Sequence, residues 1–266
     1  MDAVESKARQ SISPIFLAIL AVTVVSGLIA WKYGRVMVDA QGLAVEQPAR
    51  LALFFFVVGG WIVSLCLHEF GHAYLAHRFG DNSIASKGYL TLDPRKYADL
   101  TLSILIPVFF LLLGGIGLPG GAVWIDRGAI QGKIRHSLVS AAGPLVNLAF
   151  AIILGIAVSN VTPGAHSVFW TGVSFLAFLQ VTAAVLNLLP IPGLDGFGIV
   201  EPYLPRPWVA KVAPIGGFVF LGLIALLWLP PVNEAFFKVI YHVTSLFGIN
   251  EIYSRVGGEL FRFWSR

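Results

Sequence analysis

The segment Leu67-His68-Glu69-Phe70-Gly71-His72 sets two imidazoles four residues apart, with a carboxylate beside the first. On a helix, residues four apart share a face, so both rings can reach one metal ion. Zinc in such a site lowers the pKa of its water to about 7, and an adjacent carboxylate can take the proton. The pattern therefore predicts a hydrolytic zinc centre, with His68 and His72 as ligands and Glu69 as the base. The competing interpretation is a chance match. The surroundings decide against it, because the motif lies within the apolar stretch 51–76. An unpartnered ionisable group in hydrocarbon costs several kcal/mol, so such residues point to function.

Two imidazoles are not enough, since a catalytic zinc has three protein ligands and one open position. His77 follows at the basic end of the helix, His136 sits in a basic loop and His166 falls on the other side. None is well placed. The better candidate is Asp195, in Asn187-Leu188-Leu189-Pro190-Ile191-Pro192-Gly193-Leu194-Asp195-Gly196. Pro190 and Pro192 end a helix, and Asp-Gly after prolines is otherwise an ordinary turn. Asn187 offers an amide that could hold a substrate strand or stabilise an oxyanion. In Ser140-Ala141-Ala142-Gly143-Pro144-Leu145-Val146-Asn147, the small residues suit close helix packing. Asn147 needs a partner if buried, and a supporting role near the metal is one assignment for it.

The elements that must position these groups follow from composition. The chain has 266 residues, 57% hydrophobic and only 12% charged, with a mean hydropathy of +0.81. Soluble domains carry roughly a quarter charged residues, so most of this surface faces something other than water. Spans are expected at 14–31, 51–76, 137–158, 168–189 and 211–229; the first, followed by Trp31, Lys32 and Tyr33, has no cleavage site after it. Residues 235–249 suit an interfacial helix or a marginal sixth span. The net charge of +4 is spread over loops without a basic stripe, which fits cytoplasmic loops rather than a nucleic-acid partner. One cysteine, Cys66, excludes an internal disulfide.

Leu100–Leu118 is apolar but broken by Pro107, Gly114, Gly115 and Gly117, and basic residues flank it on both sides. A full crossing would put one basic group outside, so a re-entrant segment is expected. The parity then matters chemically: Asp195 arrives at the inner face, level with His72, which makes it the third ligand. Gly120-Gly121-Ala122-Val123-Trp124-Ile125-Asp126 could supply an extended edge for an unwound substrate, or be a plain exit loop.

These motifs resemble the site-2 protease family of intramembrane metalloproteases. That family is marked by H-E-x-x-H on one span and N-x-x-P-x-x-x-x-D-G on a later one. Here these are His68–His72 and Asn187–Gly196, with G-P-x-x-N at Gly143, Pro144 and Asn147. The match covers residues 51–200. Phe197-Gly198 stand where many members have Gly-Arg, and there is no room for the peptide-binding domain many bacterial members carry. Gly88–Pro94 is similar to a segment of the shorter, domain-free members.

The resemblance implies His68, His72 and Asp195 as ligands of one Zn2+, Glu69 as the base and Asn187 on the substrate side. The expected fold is an all-α polytopic membrane protein of five or six transmembrane helices, with a re-entrant segment and a small membrane-associated β element. It would be one membrane-embedded peptidase domain over 1–266: residues 1–50 an N-terminal span and outer loop, 51–200 the catalytic core, 201–266 a last span and amphipathic tail. The expected activity is zinc endopeptidase cleavage in or beside transmembrane segments of membrane-anchored protein substrates, as in regulated intramembrane proteolysis. Lipids would be its other partners, with the site toward the cytoplasmic side of the cell membrane. A divalent-metal transporter is the alternative, although no internal repeat is visible.

Overall fold

Five helices are long and apolar enough to cross a bilayer: Pro14–Tyr33, Gln47–Arg78, Lys133–Ser159, Ser167–Asn187 and the broken helix Arg206–Leu227. They match the five expected spans, each within a few residues. The computed structural model describes residues 12–39, 42–97, 123–161 and 166–264, together with Phe109 and Gly164. Within these, the protein is an all-α polytopic membrane protein with one small hairpin.

Helix α1 (Pro14–Tyr33) is started by Ser13, whose hydroxyl accepts from the Ile15 N–H, with proline in the first turn. A hairpin pairs β1 (Met37–Asp39) with β2 (Gly42–Ala44), Met37 opposite Ala44. This is the only sheet among the described residues. It lies in the loop after the first span, not at 120–126.

Helix α2 (Gln47–Arg78) has 32 residues, about 48 Å at 1.5 Å per residue. It exceeds the ~30 Å hydrocarbon layer, so its last turns, with His77 and Arg78, reach the membrane surface. The short α3 (Ser83–Ser86) follows. Then come α4 (Lys133–Ser159), α5 (Ser167–Asn187) and the six-residue α6 (Asp195–Val200). The last span joins α7 (Arg206–Val212) to α8 (Gly216–Leu227), and α9 (Pro230–Leu246) and α10 (Glu251–Phe261) close the chain.

Helix α5 is the centre, buried almost throughout, with α2, α4, α9 and α10 against it and α1 on α2. Leu53, Val57, Trp61, Leu176, Leu179 and Ile240 fill one core, and Cys66, Ala73, Ile84, Tyr89 and Val139 a second one around the lower half of α2. The outer faces expose Leu28, Ile153, Ile156, Phe218 and Leu221, as a lipid-facing surface requires. Helix α9 does not meet the length and apolarity of a span. It buries Ile240 and Thr244, exposes Val239 and Leu246, and stacks Phe237 and Tyr241 on Phe178, which is the amphipathic form of the two expected for 235–249.

Leu100–Leu118, apart from Phe109, lies outside the described residues. Its flanks lie on one face. Beyond α2, the Asp81 carboxylate accepts from the Ser83 N–H and hydroxyl at 3.0 and 2.6 Å, and from the Asp126 N–H at 2.7 Å. The two sides of the stretch are thus held together.

Asp81 carries a testable consequence. Burial raises its pKa, but the bonds from Ser83 and Asp126 outweigh this and hold it below the ordinary value. A carboxylate depressed in this way stabilises the fold fully above its unfolded pKa of about 3.9, and the gain fades as pH falls through the folded value. Asp81→Asn is expected to lose about 2 kcal/mol at pH 7. Denaturation followed by circular dichroism should show the gap from the parent closing below pH 4.

Candidate metal centre

The four-residue spacing on α2 brings the His68 and His72 rings edge to face, centroids 4.8 Å apart and planes at 76°. Their Nε2 atoms lie 3.1 Å apart. Asp195 Oδ2 lies 3.3 Å from His68 Nε2 and 3.4 Å from His72 Nε2. Ligands about 2.0–2.1 Å from a tetrahedral zinc stand about 3.4 Å from one another, so the donor set fits that ion. The Asp195 carboxylate reaches both imidazoles.

Each ring is fixed through its far nitrogen. His72 Nδ1 lies 2.7 Å from the Val139 carbonyl, and His68 Nδ1 lies 2.5 Å from Asn147 Oδ1. Both acceptors call for a proton on Nδ1, which leaves both Nε2 lone pairs aimed at the shared point.

Space for an ion comes from Gly143 of α4. A β-carbon there would collide with the Nε2 atoms of both His68 and His72. The sequence explained this glycine by helix packing; its tighter constraint is the ligand cradle.

Asp195 is delivered by a turn that the prolines impose. Helix α5 ends at Asn187, and Pro190 and Pro192 prevent it from continuing. Gly193 has φ +97, a conformation L side chains rarely adopt. Gly196 lets α6 settle against the Leu188 carbonyl, where a side chain would clash. Two bonds then fasten α6 and the turn after it: Arg127 to Glu201 at 2.6 Å, and the Ser137 hydroxyl to the Ile199 carbonyl at 2.6 Å. Phe197-Gly198, the departure from Gly-Arg, lies within this helix, Gly198 tight against Ser140.

Glu69 is 2% exposed, with Oε1 at 4.0 Å from His68 Nε2. Its Oε2 has no hydrogen-bond partner among the described residues. Buried carboxylate oxygens are ordinarily hydrogen-bonded, so this one has capacity to accept from a molecule entering the metal site. Asn187 is buried at the last residue of α5, where the chain turns toward Asp195.

The other histidines stay apart, as expected. His77 Nδ1 faces the Asp81 carbonyl, and His166 stacks on Trp31 at 3.9 Å. His136 stands in the first turn of α4, outside the ligand group. Residues 120–122 lie outside the described residues. Val123–Asp126 forms no ladder with another described strand, and its Trp124 carbonyl accepts from Lys87 Nζ at 2.9 Å. Val123 and Ile125 pack inward while Trp124 is exposed.

Sequence reasoning missed Ser64 and Gln180, which bond to each other and to Asn147. The available signal was a glutamine inside an apolar span.

Five spans around two buried histidines, a partly exposed aspartate and a neighbouring buried carboxylate define a membrane-embedded zinc protein. The chain is 46% identical over 263 residues to the "Putative zinc metalloprotease Rip2" of Mycobacterium tuberculosis, covering 98% of both chains. The protein of that designation from Mycolicibacterium smegmatis is 45% identical over 260 residues, 97% of this chain and 96% of the relative. YwhC of Bacillus subtilis, under the same heading of zinc metalloprotease, is 33% identical over 187 residues, 68% of this chain and 83% of the relative. No family model and no solved structure matches. The chain belongs to the zinc metalloprotease family of Rip2 and YwhC, and its cofactor is Zn2+.

Gly143→Ala is expected to weaken zinc binding by at least about 100-fold while leaving the helical circular dichroism intact. Metal analysis after dialysis against a competing chelator checks this.

Proposed function

We propose that this protein is an intramembrane endopeptidase of the site-2 protease type, cleaving membrane-anchored proteins in or next to their transmembrane segments. The observation that carries the reading is the placement of the motif. His68, Glu69 and His72 are buried on a membrane-spanning helix, and Asp195 comes from a broken segment at the same depth. A metal site at this position meets peptide bonds within or beside the bilayer.

His68, His72 and Asp195 would hold the ion. Zinc, when bound, supplies a Lewis acid that polarises a peptide carbonyl and makes water more acidic. Glu69 takes a proton from the attacking water on its unpartnered Oε2 and returns it to the leaving amine. Burial around Glu69 keeps competing water away and strengthens the local electrostatics. Asn187 presents its amide beside the Asp195 turn, where it orients the substrate strand or donates to the developing oxyanion. The Asp195 side chain is 23% exposed, so water enters from the side of α6. A substrate helix hides its carbonyls in its own bonds and must unwind before cleavage; the segment ending at Val123–Asp126 is a candidate edge to receive it.

Arg78, Lys87, Arg95, Arg127, Lys133 and Arg135 lie on the end of α2, the start of α4 and the loops between them. By the positive-inside tendency that side faces the cytoplasm, in the cell membrane.

Glu69→Gln is expected to keep one zinc and lose cleavage by about 100-fold or more. The assay is purified protein in liposomes with a transmembrane substrate trapped by crosslinking to the same variant. Cleavage at the parental rate would remove the enzyme assignment; zinc transport into vesicles without cleavage would favour the transporter.

A further inference from the structure

Three helices meet at a closed polar chain behind His68. The Ser64 hydroxyl of α2 donates to Gln180 Oε1 of α5 at 2.7 Å. The Asn147 Nδ2 group of α4 donates to the same oxygen at 2.7 Å and stands 3.5 Å from Ser64 Oγ. The other edge of that amide, Oδ1, faces His68 Nδ1 at 2.5 Å. Gln180 is fully buried, and Ser64 and Asn147 are 1% and 3% exposed.

The two zinc-binding imidazoles are therefore fixed by different means. Val139 offers His72 a backbone carbonyl, which can only accept. Asn147 offers His68 a carboxamide, which accepts on one edge and donates on the other. Turned over, it would present N–H to Nδ1, move the ring proton to Nε2 and remove the lone pair the metal needs. Something must choose the edge. Gln180 Oε1 is a pure acceptor with two donors on it, so it requires Nδ2 of Asn147 on its side and leaves Oδ1 for His68.

We propose that Gln180 is a positioning residue for the metal centre: through Asn147 it sets the tautomer and orientation of His68. The property that matters is the acceptor oxygen. The Gln180 Nε2 group has no partner among the described residues, so the amide's donor half contributes nothing to the chain. The inference rests on zinc binding at His68, His72 and Asp195, but not on what the protein cleaves.

The test is zinc affinity by chelator competition on purified full-length protein, with the visible spectrum of the Co2+-substituted site as a second readout. Gln180→Leu, an apolar side chain suited to a span, should weaken zinc binding 10- to 100-fold and alter the Co2+ bands. Gln180→Glu keeps the acceptor and should stay within about threefold of the parent, with parental bands. Ser64→Ala removes only the second donor and should also stay within about threefold. Affinity within twofold of the parent in Gln180→Leu overturns the proposal, as does an equal loss in Gln180→Leu and Gln180→Glu. If Gln180→Leu does not fold, Gln180→Asn, whose oxygen falls short of Asn147, takes its place under the same criteria. A parent protein that binds no zinc would instead defeat the metal assignment itself.

Discussion

Hydrocarbon offers no hydrogen-bond partners, and that is the constraint around which this molecule is arranged. A span carrying two histidines and a glutamate would be expelled or would deform the bilayer unless each polar atom met another. The protein meets the requirement by enclosure. Helices α1, α4 and α5 surround α2, and the far nitrogens of both imidazoles are paired within that wall. Glu69 Oε2 has no partner among the described residues. Its lack of a partner is tolerable because a metal site beside it brings in both charge and a reacting molecule.

The same constraint explains the irregular backbone. The third ligand has to come from a chain that leaves the helical pattern at depth, and non-helical backbone survives there only when packed against protein. Pro190 and Pro192 break α5, Gly193 takes the left-handed turn, and Gly196 fits beneath the carbonyls that the break exposes. Gly143 has the opposite task. It keeps volume empty where the imidazoles meet, so α4 approaches without filling the space an ion needs.

Much of this was legible in the sequence. The five spans follow from apolar length, and His68, Glu69 and His72 declare themselves by spacing inside one of them. Asp195 required an added argument, the parity of crossings, because Asp-Gly after prolines reads equally well as a turn. Asn147 was half visible: a buried amide needed a partner, but nothing in the sequence named His68. Gln180 and Ser64 were invisible as a pair, since their meeting depends on how α2 and α5 rotate against each other. Gly143 was recognised for the wrong reason. A small residue in a helix signals close approach, and only coordinates reveal whether a backbone or a ligand atom approaches. The tail residues 235–249 stayed ambiguous because an amphipathic helix and a short span share composition.

The divided origin of the ligands has a bearing on biogenesis. His68 and His72 enter the bilayer on α2 while α5 and α6 are still to be synthesised. Until the chain has passed the second proline and α6 has been pinned by Arg127–Glu201 and Ser137–Ile199, the paired imidazoles have no carboxylate near them but that of Glu69 on their own helix. Capture of a metal by all three donors is thus a late event in maturation, and the newborn chain passes through a stage in which the imidazole pair and Glu69 are membrane-embedded without Asp195. A cell gains a safeguard from this sequence of events: an incompletely inserted copy cannot assemble the third ligand and so lacks a working centre.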